Sequence, residues 1–485
     1  VTGRRLRLPR PDAAVERALD VDLAQDVQRA LAAVRVENDL PGPFPPAALA
    51  EAEHADAGAD DEDRVDRTDL PFVTIDPPGS LDLDQALHLE RTSEGVVLRY
   101  AIADVPAVVR TGGALDAETR RRGQTYYLPD GRVPLHPAVL SEGTASLLPD
   151  ETRRALVWTL TLDERAEPRS VHLERALVRS VARLDYEGVQ RSVDAGDPHP
   201  SLALLPWFGR ERLAREAERG GASLTLPEEE IVAADGGYRV ERRAPLAVEG
   251  WNAQVSLLTG MAAATMMLDA GVGILRTMPE ADPATVAAFR SRAAALGVPW
   301  PEEEAYGAYL RRLDTDDPAQ LAIMYAAASL FRGAGYTAFD GAPPEHPAQA
   351  ALAAPYAHVT APLRRLVDRF GLAVCLAVSR GGTIPSQLRE ALPLLPPLLA
   401  ASDRRAGAAS RAATAIVEAA VLRGREGASF HGIVVSSART RSSVQLLDPE
   451  ITVDLPAPLT PGARVVVVLE SVDVATGSAV FGLGA

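Results

Sequence analysis

The sequence predicts an α+β fold, with strands early, helices through the middle and a second all-β segment at the end. Three observations carry that reading. Short apolar runs rich in β-branched and aromatic residues recur from Phe72 to Leu162. Stretches of helix length dominate from about residue 205 to residue 422. Residues 424–485 then return to short β-type runs cut by Asp-Pro and Pro-Gly turns.

The elements follow in order. Residues 11–37 read as one or two helices, with Ala, Leu and Val spaced by charges, until Leu40-Pro41-Gly42-Pro43-Phe44-Pro45-Pro46 breaks the pattern. Glu51–Asp66 is acidic and poor in large apolar side chains, the signature of a mobile linker, so residues 1–67 form a helical segment plus linker. Strands are expected at Phe72–Ile75, Ala86–Leu89, Val96–Ile102 and Ala155–Leu162, with Thr92-Ser93-Glu94-Gly95 as a hairpin turn. Helices are expected at Trp207–Arg219, Val255–Leu268, 284–296, 318–331, 363–379 and 400–422, so that residues 68–422 make one α+β domain of mixed sheets flanked by helices. Ser429–Val435, Ser443–Leu447, Ile451–Leu455 and Arg464–Ser471 then predict a C-terminal OB-type β-barrel over 424–485. Its only aromatics are Phe430 and Phe481, a meagre platform for stacking on bases.

Composition narrows the function classes. At 485 residues, with 47% apolar content, the chain can bury a large core. No apolar run is long enough to span a bilayer and the N-terminus lacks a signal-type apolar region, so a cytoplasmic protein is expected, with no membrane partner. The single cysteine, Cys375, lies in an apolar run and reads as a core thiol. The net charge of −16 sits awkwardly with a nucleic-acid enzyme unless basic side chains line an interior channel. All 50 basic residues are arginine, so every phosphate contact must come from guanidinium, main chain or neutral polar groups.

One stretch concentrates chemistry. Thr74-Ile75-Asp76-Pro77-Pro78-Gly79-Ser80-Leu81-Asp82-Leu83-Asp84-Gln85 places three carboxylates around a Pro-Pro-Gly turn. Carboxylates this close repel unless solvent, arginine or a hard cation offsets them. In an extended segment Asp82 and Asp84 share a face, and Asp76 can reach the same point from the preceding strand. That pattern suits a Mg²⁺-dependent phosphoryl-transfer site, although spacing alone leaves a solvated acidic loop about as good a reading.

A second stretch decides between them: Pro355-Tyr356-Ala357-His358-Val359-Thr360-Ala361-Pro362-Leu363-Arg364-Arg365. Together the two resemble the catalytic domain of the RNase II/RNase R (RNB) family of exoribonucleases. Further matching segments lie between them: Tyr100–Val105, Arg122-Gly123-Gln124-Thr125-Tyr126-Tyr127-Leu128-Pro129-Asp130, Leu135-His136-Pro137 and Ser146-Leu147-Leu148. The resemblance covers roughly residues 68–422, with a weaker echo beyond.

The resemblance implies a hydrolytic 3′-to-5′ exoribonuclease that takes single-stranded RNA and releases nucleoside 5′-monophosphates. It implies Asp76, Asp82 and Asp84 as ligands of Mg²⁺, with Mn²⁺ as the alternative, and Asp84 and Arg364 as the catalytic pair, Arg364 on the scissile phosphate. Tyr127 would stack on the 3′-terminal base, and Tyr356, His358 and Arg365 are further candidate RNA contacts. Gln85 stands where the family has a fourth aspartate, so it is a candidate for a metal or water contact without charge. The glutamate that assists the 3′ end is not found beside Ser410, where the chain reads Ala409-Ser410-Arg411. The family's two cold-shock domains are not supplied by residues 1–67, and no obligate protein partner is implied, which leaves a monomer as the expectation. Two alternatives stay open: a catalytically weak RNA-binding protein on the same fold, and a phosphodiesterase for short oligonucleotides.

Overall fold

The computed structural model describes residues 8, 21–55, 61, 63–93, 95–222, 228–234, 237–449 and 451–484. The strands are β1 (Val65–Ile75), β2 (Gln85–Thr92), β3 (Gly95–Ala103), β4 (Tyr126–Leu128), β5 (Gly131–Val133), β6 (Thr152–Leu162) and β7 (Pro168–Leu184). The first three and last two of these close into a barrel in the order β1-β2-β3-β6-β7. Neighbours run antiparallel except β1 and β7, which close the ring in parallel. β4 and β5 form a separate hairpin. Alternation sorts the barrel side chains into two sets. Ala101, Ala155, Val157, Ala176 and Val178 cluster with Phe72 and Leu83. Leu98, Tyr100, Ile102, Leu156 and Trp158 join the main core under the helices.

The helices that frame the site are α1 (Val21–Glu37), α2 (Pro46–Glu53), α3 (Ala114–Arg122), α4 (Ala247–Ala270), α5 (Leu366–Ser379) and α6 (Leu395–Leu422). The expected helix over 363–379 begins three residues later, because residues 362–364 form a separate turn closed on the Ala361 carbonyl and Arg365 is extended in a β-bridge with Gln124. Leu23, Val27, Ala30, Leu31 and Val34 recur at helical spacing on α1 and pack against Ala409, Ala413 and Ile416 of α6. The first part of the helix predicted from residue 11, residues 56–60 and 62 of the predicted linker, and Glu94 of the predicted turn lie outside the described residues.

The expected linker is corrected in part. Its first residues belong to α2, and the Glu51 carboxylate accepts hydrogen bonds from the amides of Ala114 and Leu115 at 2.8 and 2.9 Å. The N-cap of α3 is Gly113, which has no side chain to satisfy the first helical N–H groups, so Glu51 caps the helix from a distant segment. Those amide bonds hold the Glu51 carboxyl below its ordinary range.

Residues 429–483 form a five-stranded antiparallel sheet whose order, by first residue, is Thr452, Ser442, Ser429, Arg464, Ser478. Its edge strands approach one another, which nearly closes the expected OB-type barrel. Phe430 and Phe481 are both buried in its core, edge to face at 5.9 Å.

Replacing Glu51 by Ala lowers stability by about 1 kcal/mol, the usual worth of a helix cap, read by chemical denaturation at neutral pH. A depressed carboxyl stabilises only while ionised, so the difference fades as pH falls below its ordinary value of 4.5.

Candidate active site

β1 ends at Ile75 and delivers Asp76, whose amide donates to the Leu184 carbonyl at the end of β7 (3.1 Å). The chain then turns through Gly79, whose φ of 77° favours glycine, and runs extended into β2. Ser146 staples this stretch: its hydroxyl donates to the Leu81 carbonyl (2.6 Å) and accepts from the Leu83 amide (2.9 Å). Asp84 is thereby carried inward. Its Oδ1 accepts from the Leu363 amide at 2.7 Å, and its Oδ2 lies 3.4 Å from Arg364 Nε.

Leu363 is pinned from its other side as well. His136 Nδ1 donates to the Leu363 carbonyl at 2.9 Å, and burial keeps that imidazole neutral, its pKa pushed down to about 4. The Thr125 amide donates to the Arg364 carbonyl at 3.0 Å. These bonds fix the backbone while leaving the Arg364 side chain 39% exposed beside the acids. Thr125 and His136, which the sequence marks only as parts of matching segments, therefore set where Asp84 and Arg364 meet.

Tyr126 and Tyr127 take opposite faces, as strand alternation requires: Tyr126 is buried and Tyr127 is 40% exposed. Burial raises the Tyr127 hydroxyl's pKa, and Arg364, Asp82 and Asp84 lie within electrostatic reach of it. Directly across the hairpin from Tyr127 stands Arg132. It reaches Asp82 Oδ2 with one terminal nitrogen and Glu142 Oε1 with the other, each at 2.5 Å. Nothing in the sequence singles out Arg132, because its partners lie 50 residues before and 10 after it in number but meet only in the fold.

Four of the candidate residues have partners within the protein. Tyr356 is buried, its ring against Gly260 so closely that a Cβ there would lie 2.1 Å from it. His358 pairs with the Tyr336 hydroxyl (2.8 Å), packs edge to face with Tyr356, and is held well below its ordinary pKa by burial and by Arg365, Arg276 and Arg364. Arg365 makes a bidentate pair with the buried Asp368 (2.9 and 2.8 Å), and Asp368 also accepts from the Ala361 amide (2.7 Å). These three side chains brace the motif from within. Gln85 is engaged at both ends: its Nε2 donates to the Thr360 carbonyl and its Oε1 accepts from the Tyr100 hydroxyl at 2.9 Å. An amide so used ties β2 to the Thr360 turn. On α6, Asp403 accepts from Gln124 Nε2 (2.9 Å) and lies 3.5 Å from Arg276.

Burial dominates the electrostatics. It raises the Asp84 carboxyl to about 8, against the pull of Arg364 and the Leu363 amide. It raises Asp76 to about 6, with Arg364 opposing and Asp82 adding to the rise. Burial thus favours the neutral acids while no cation is bound, and the donor set of carboxylate oxygens suits a hard divalent cation in kind. Among the described residues, though, no three Asp, Glu, His or Cys side chains converge into a ready chelate. Asp82 is drawn to Arg132 and Asp84 to Arg364, so a cation would have to displace guanidinium groups to gather them.

The RNB domain matches residues 64–371, and the RNase II-type exonuclease C-terminal S1 domain matches residues 428–483. The first of these covers well over half of the sequence, and the chain belongs to the RNB family. Ribonuclease R of Escherichia coli K12 is 30% identical over 330 residues, which cover 63% of this chain and 39% of that protein. The chain spans well under half the length of the curated relatives it matches. In fold, it superposes on the apo form of Mycoplasma genitalium RNase R with a TM-score of 0.84 at 19% identity, over 94% of this chain and 78% of that one. It also superposes on yeast Ssd1, described as a pseudonuclease, with a TM-score of 0.66 at 16% identity, over 89% of this chain and 54% of that one. No helix among the described residues is long and apolar enough to cross a membrane.

The raised carboxyls give a signed prediction for metal-free protein. A group whose folded pKa exceeds its unfolded one, about 3.9 for Asp, erodes stability as pH rises towards the folded value of about 8 for Asp84. Asp84→Asn removes that term, so its thermal midpoint in EDTA exceeds the wild-type value at pH 8.5 or so and the gap closes near about pH 4.

Proposed function

We propose that the chain is a metal-dependent 3′-to-5′ exoribonuclease that hydrolyses single-stranded RNA to nucleoside 5′-monophosphates. The observation that carries this is the meeting of Asp84, Arg364 and Tyr127: a buried carboxylate, an exposed guanidinium and a ring at one place. Family membership supports it, and Mycoplasma genitalium RNase R, which shares the fold, has been solved in complex with ribose-methylated single-stranded RNA. In this reading residues 68–422 form the catalytic domain and 424–485 an RNA-holding barrel, with 1–67 a helical segment and linker whose α1 packs against α6. Single-stranded RNA is the partner, and the protein acts as a monomer.

Mg²⁺ or Mn²⁺, when bound, would be held by Asp76, Asp82 and Asp84 and would supply a more acidic water and neutralise charge on the leaving oxygen. The rest falls to the chain's own groups. Arg364 offers a planar fork to a non-bridging phosphoryl oxygen and stabilises the charge that grows there in the transition state. Tyr127 holds the terminal base by stacking, which sets the phosphodiester against the acids. His136 and Thr125 act through the backbone of Leu363 and Arg364, as positioning residues.

Cleavage breaks the bond between phosphorus and the 3′ oxygen of the preceding nucleotide. Water adds to the phosphorus, and its proton passes to the departing oxygen, which becomes the new 3′ hydroxyl.

A second reading has its own support: Gln85 lacks charge and is occupied by structural hydrogen bonds, and a described pseudonuclease shares this fold. Such a protein would bind RNA without turnover. A 5′-labelled single-stranded RNA incubated with and without Mg²⁺ or Mn²⁺ separates the two. The exonuclease gives a metal-dependent ladder shortening from the 3′ end, and Asp84→Asn or Arg364→Ala slows it by at least about 100-fold. An RNA that is bound but never shortened, in either metal, sinks the enzymatic reading.

Tyr127→Ala raises KM and lengthens the final product, since base stacking is worth about 1–3 kcal/mol. His358→Phe, by contrast, leaves the KM for RNA unchanged and shows itself in stability.

A further inference from the structure

An open cleft of about 560 Å³ lies outside the cluster just described, lined by Arg120, Arg121, Arg404 and Arg405, with Leu398 in its wall and Asp39 as the one carboxylate on its rim. We infer that this cleft grips backbone phosphates of an RNA strand upstream of the cleavage site. The assignment rests on the exonuclease reading for the identity of the strand, and on the cleft itself for the chemistry.

Charge accounting comes first. Behind the cleft, Asp116 serves both Arg120 (3.0 Å) and the buried Arg369, and Glu118 serves both Arg121 (2.6 Å) and Arg122 (2.8 Å). Two carboxylates are thus shared among four guanidinium groups. Arg404 is exposed and has no carboxylate partner among the described residues. Arg405 has only Asp39, 3.9 Å away and almost fully exposed, and its buried Nε has no hydrogen-bond partner among the described residues. The chain's net charge is −16, whereas this lining carries four guanidinium groups against one rim carboxylate. Guanidinium forks match phosphate oxygens in pairs, which is what this lining presents.

Placement comes second. α3 ends at Arg122 with Gly123 as its C-cap, and the next residue, Gln124, bonds to Ser402 and Asp403 (3.1 and 2.9 Å) immediately before Arg404. Arg405 donates to the Arg121 carbonyl (2.9 Å) and sits 5.9 Å from the Tyr126 ring, whose neighbour Tyr127 faces the acids. The cleft therefore backs onto the hairpin that carries the stacking tyrosine. Its openness fits an extended polyanion passing over it better than an enclosed free nucleotide.

The test compares RNA binding by Asp84→Asn protein, silenced for cleavage, with and without Arg121→Gln/Arg404→Gln. Fluorescence anisotropy would use oligoadenylates of about 4 and about 20 nucleotides, bracketing ordinary single-strand site sizes. The double variant binds the long strand about tenfold more weakly, with a salt slope smaller by about 1–2, and binds the short one unchanged. Asp39→Asn, which preserves a residue tolerant of the positive φ of 51° there, tightens the long strand alone. Equal long-strand binding by all three proteins, with short-strand binding intact, overturns the cleft and spares the exonuclease reading. AMP that competes with no dependence on strand length overturns the strand assignment in favour of a free nucleotide. Failure of every protein to bind either RNA defeats the functional reading and this inference together.

Discussion

The hydrogen bond from the Leu363 amide to Asp84 is the constraint on which the site depends. It joins residues 279 apart in sequence, one entering a barrel strand and one just ahead of a helix. A buried carboxylate needs compensation, and here the main chain supplies it at a point fixed from the other side by His136. The same backbone run presents Arg364 outward and turns Arg365 inward onto Asp368. Adjacent arginines thus divide the work: one braces, and the other stays available.

That division explains what sequence reasoning reached and where it stopped. The acidic stretch and the Tyr356–Arg365 stretch were legible because each packs its residues close in sequence, and both border the cluster. Which side chains of the second stretch face inward was not legible, because Tyr356, His358 and Arg365 are decided by Gly260, Tyr336 and Asp368, partners that no local pattern names. Arg132 was invisible for the same reason. The barrel's strands β2, β3 and β6 show plain apolar runs, whereas β7 carries Arg169, Arg175, Arg179 and Arg183 along its length and so reads as polar. The acidic region before β1 misled in a different way: a glutamate that looks like linker solvation becomes a helix cap only once α3 lies beside it.

The all-arginine composition also acquires a structural sense. Most of these side chains form pairs with carboxylates, which reconciles 50 cations with a net negative chain. Guanidinium groups stay charged through the physiological range, so the cationic half of each of these pairs does not titrate with modest changes in pH. The C-terminal barrel adds little aromatic surface, because its two phenylalanines are spent on its own core. Any hold it has on RNA is then through charge and backbone shape, blind to base identity.

The β4–β5 hairpin has only three residues on each side, too few to keep its shape unaided. Tyr127 and Arg132 are opposite one another on it, and Arg132 is the anchor through Asp82 and Glu142. The ring that would hold the base and the acid that would hold the cation are therefore two ends of one small lever. Damage to either end is transmitted to the other, so substrate affinity and turnover will shift together in mutants of this hairpin and cannot be assigned to separate parts.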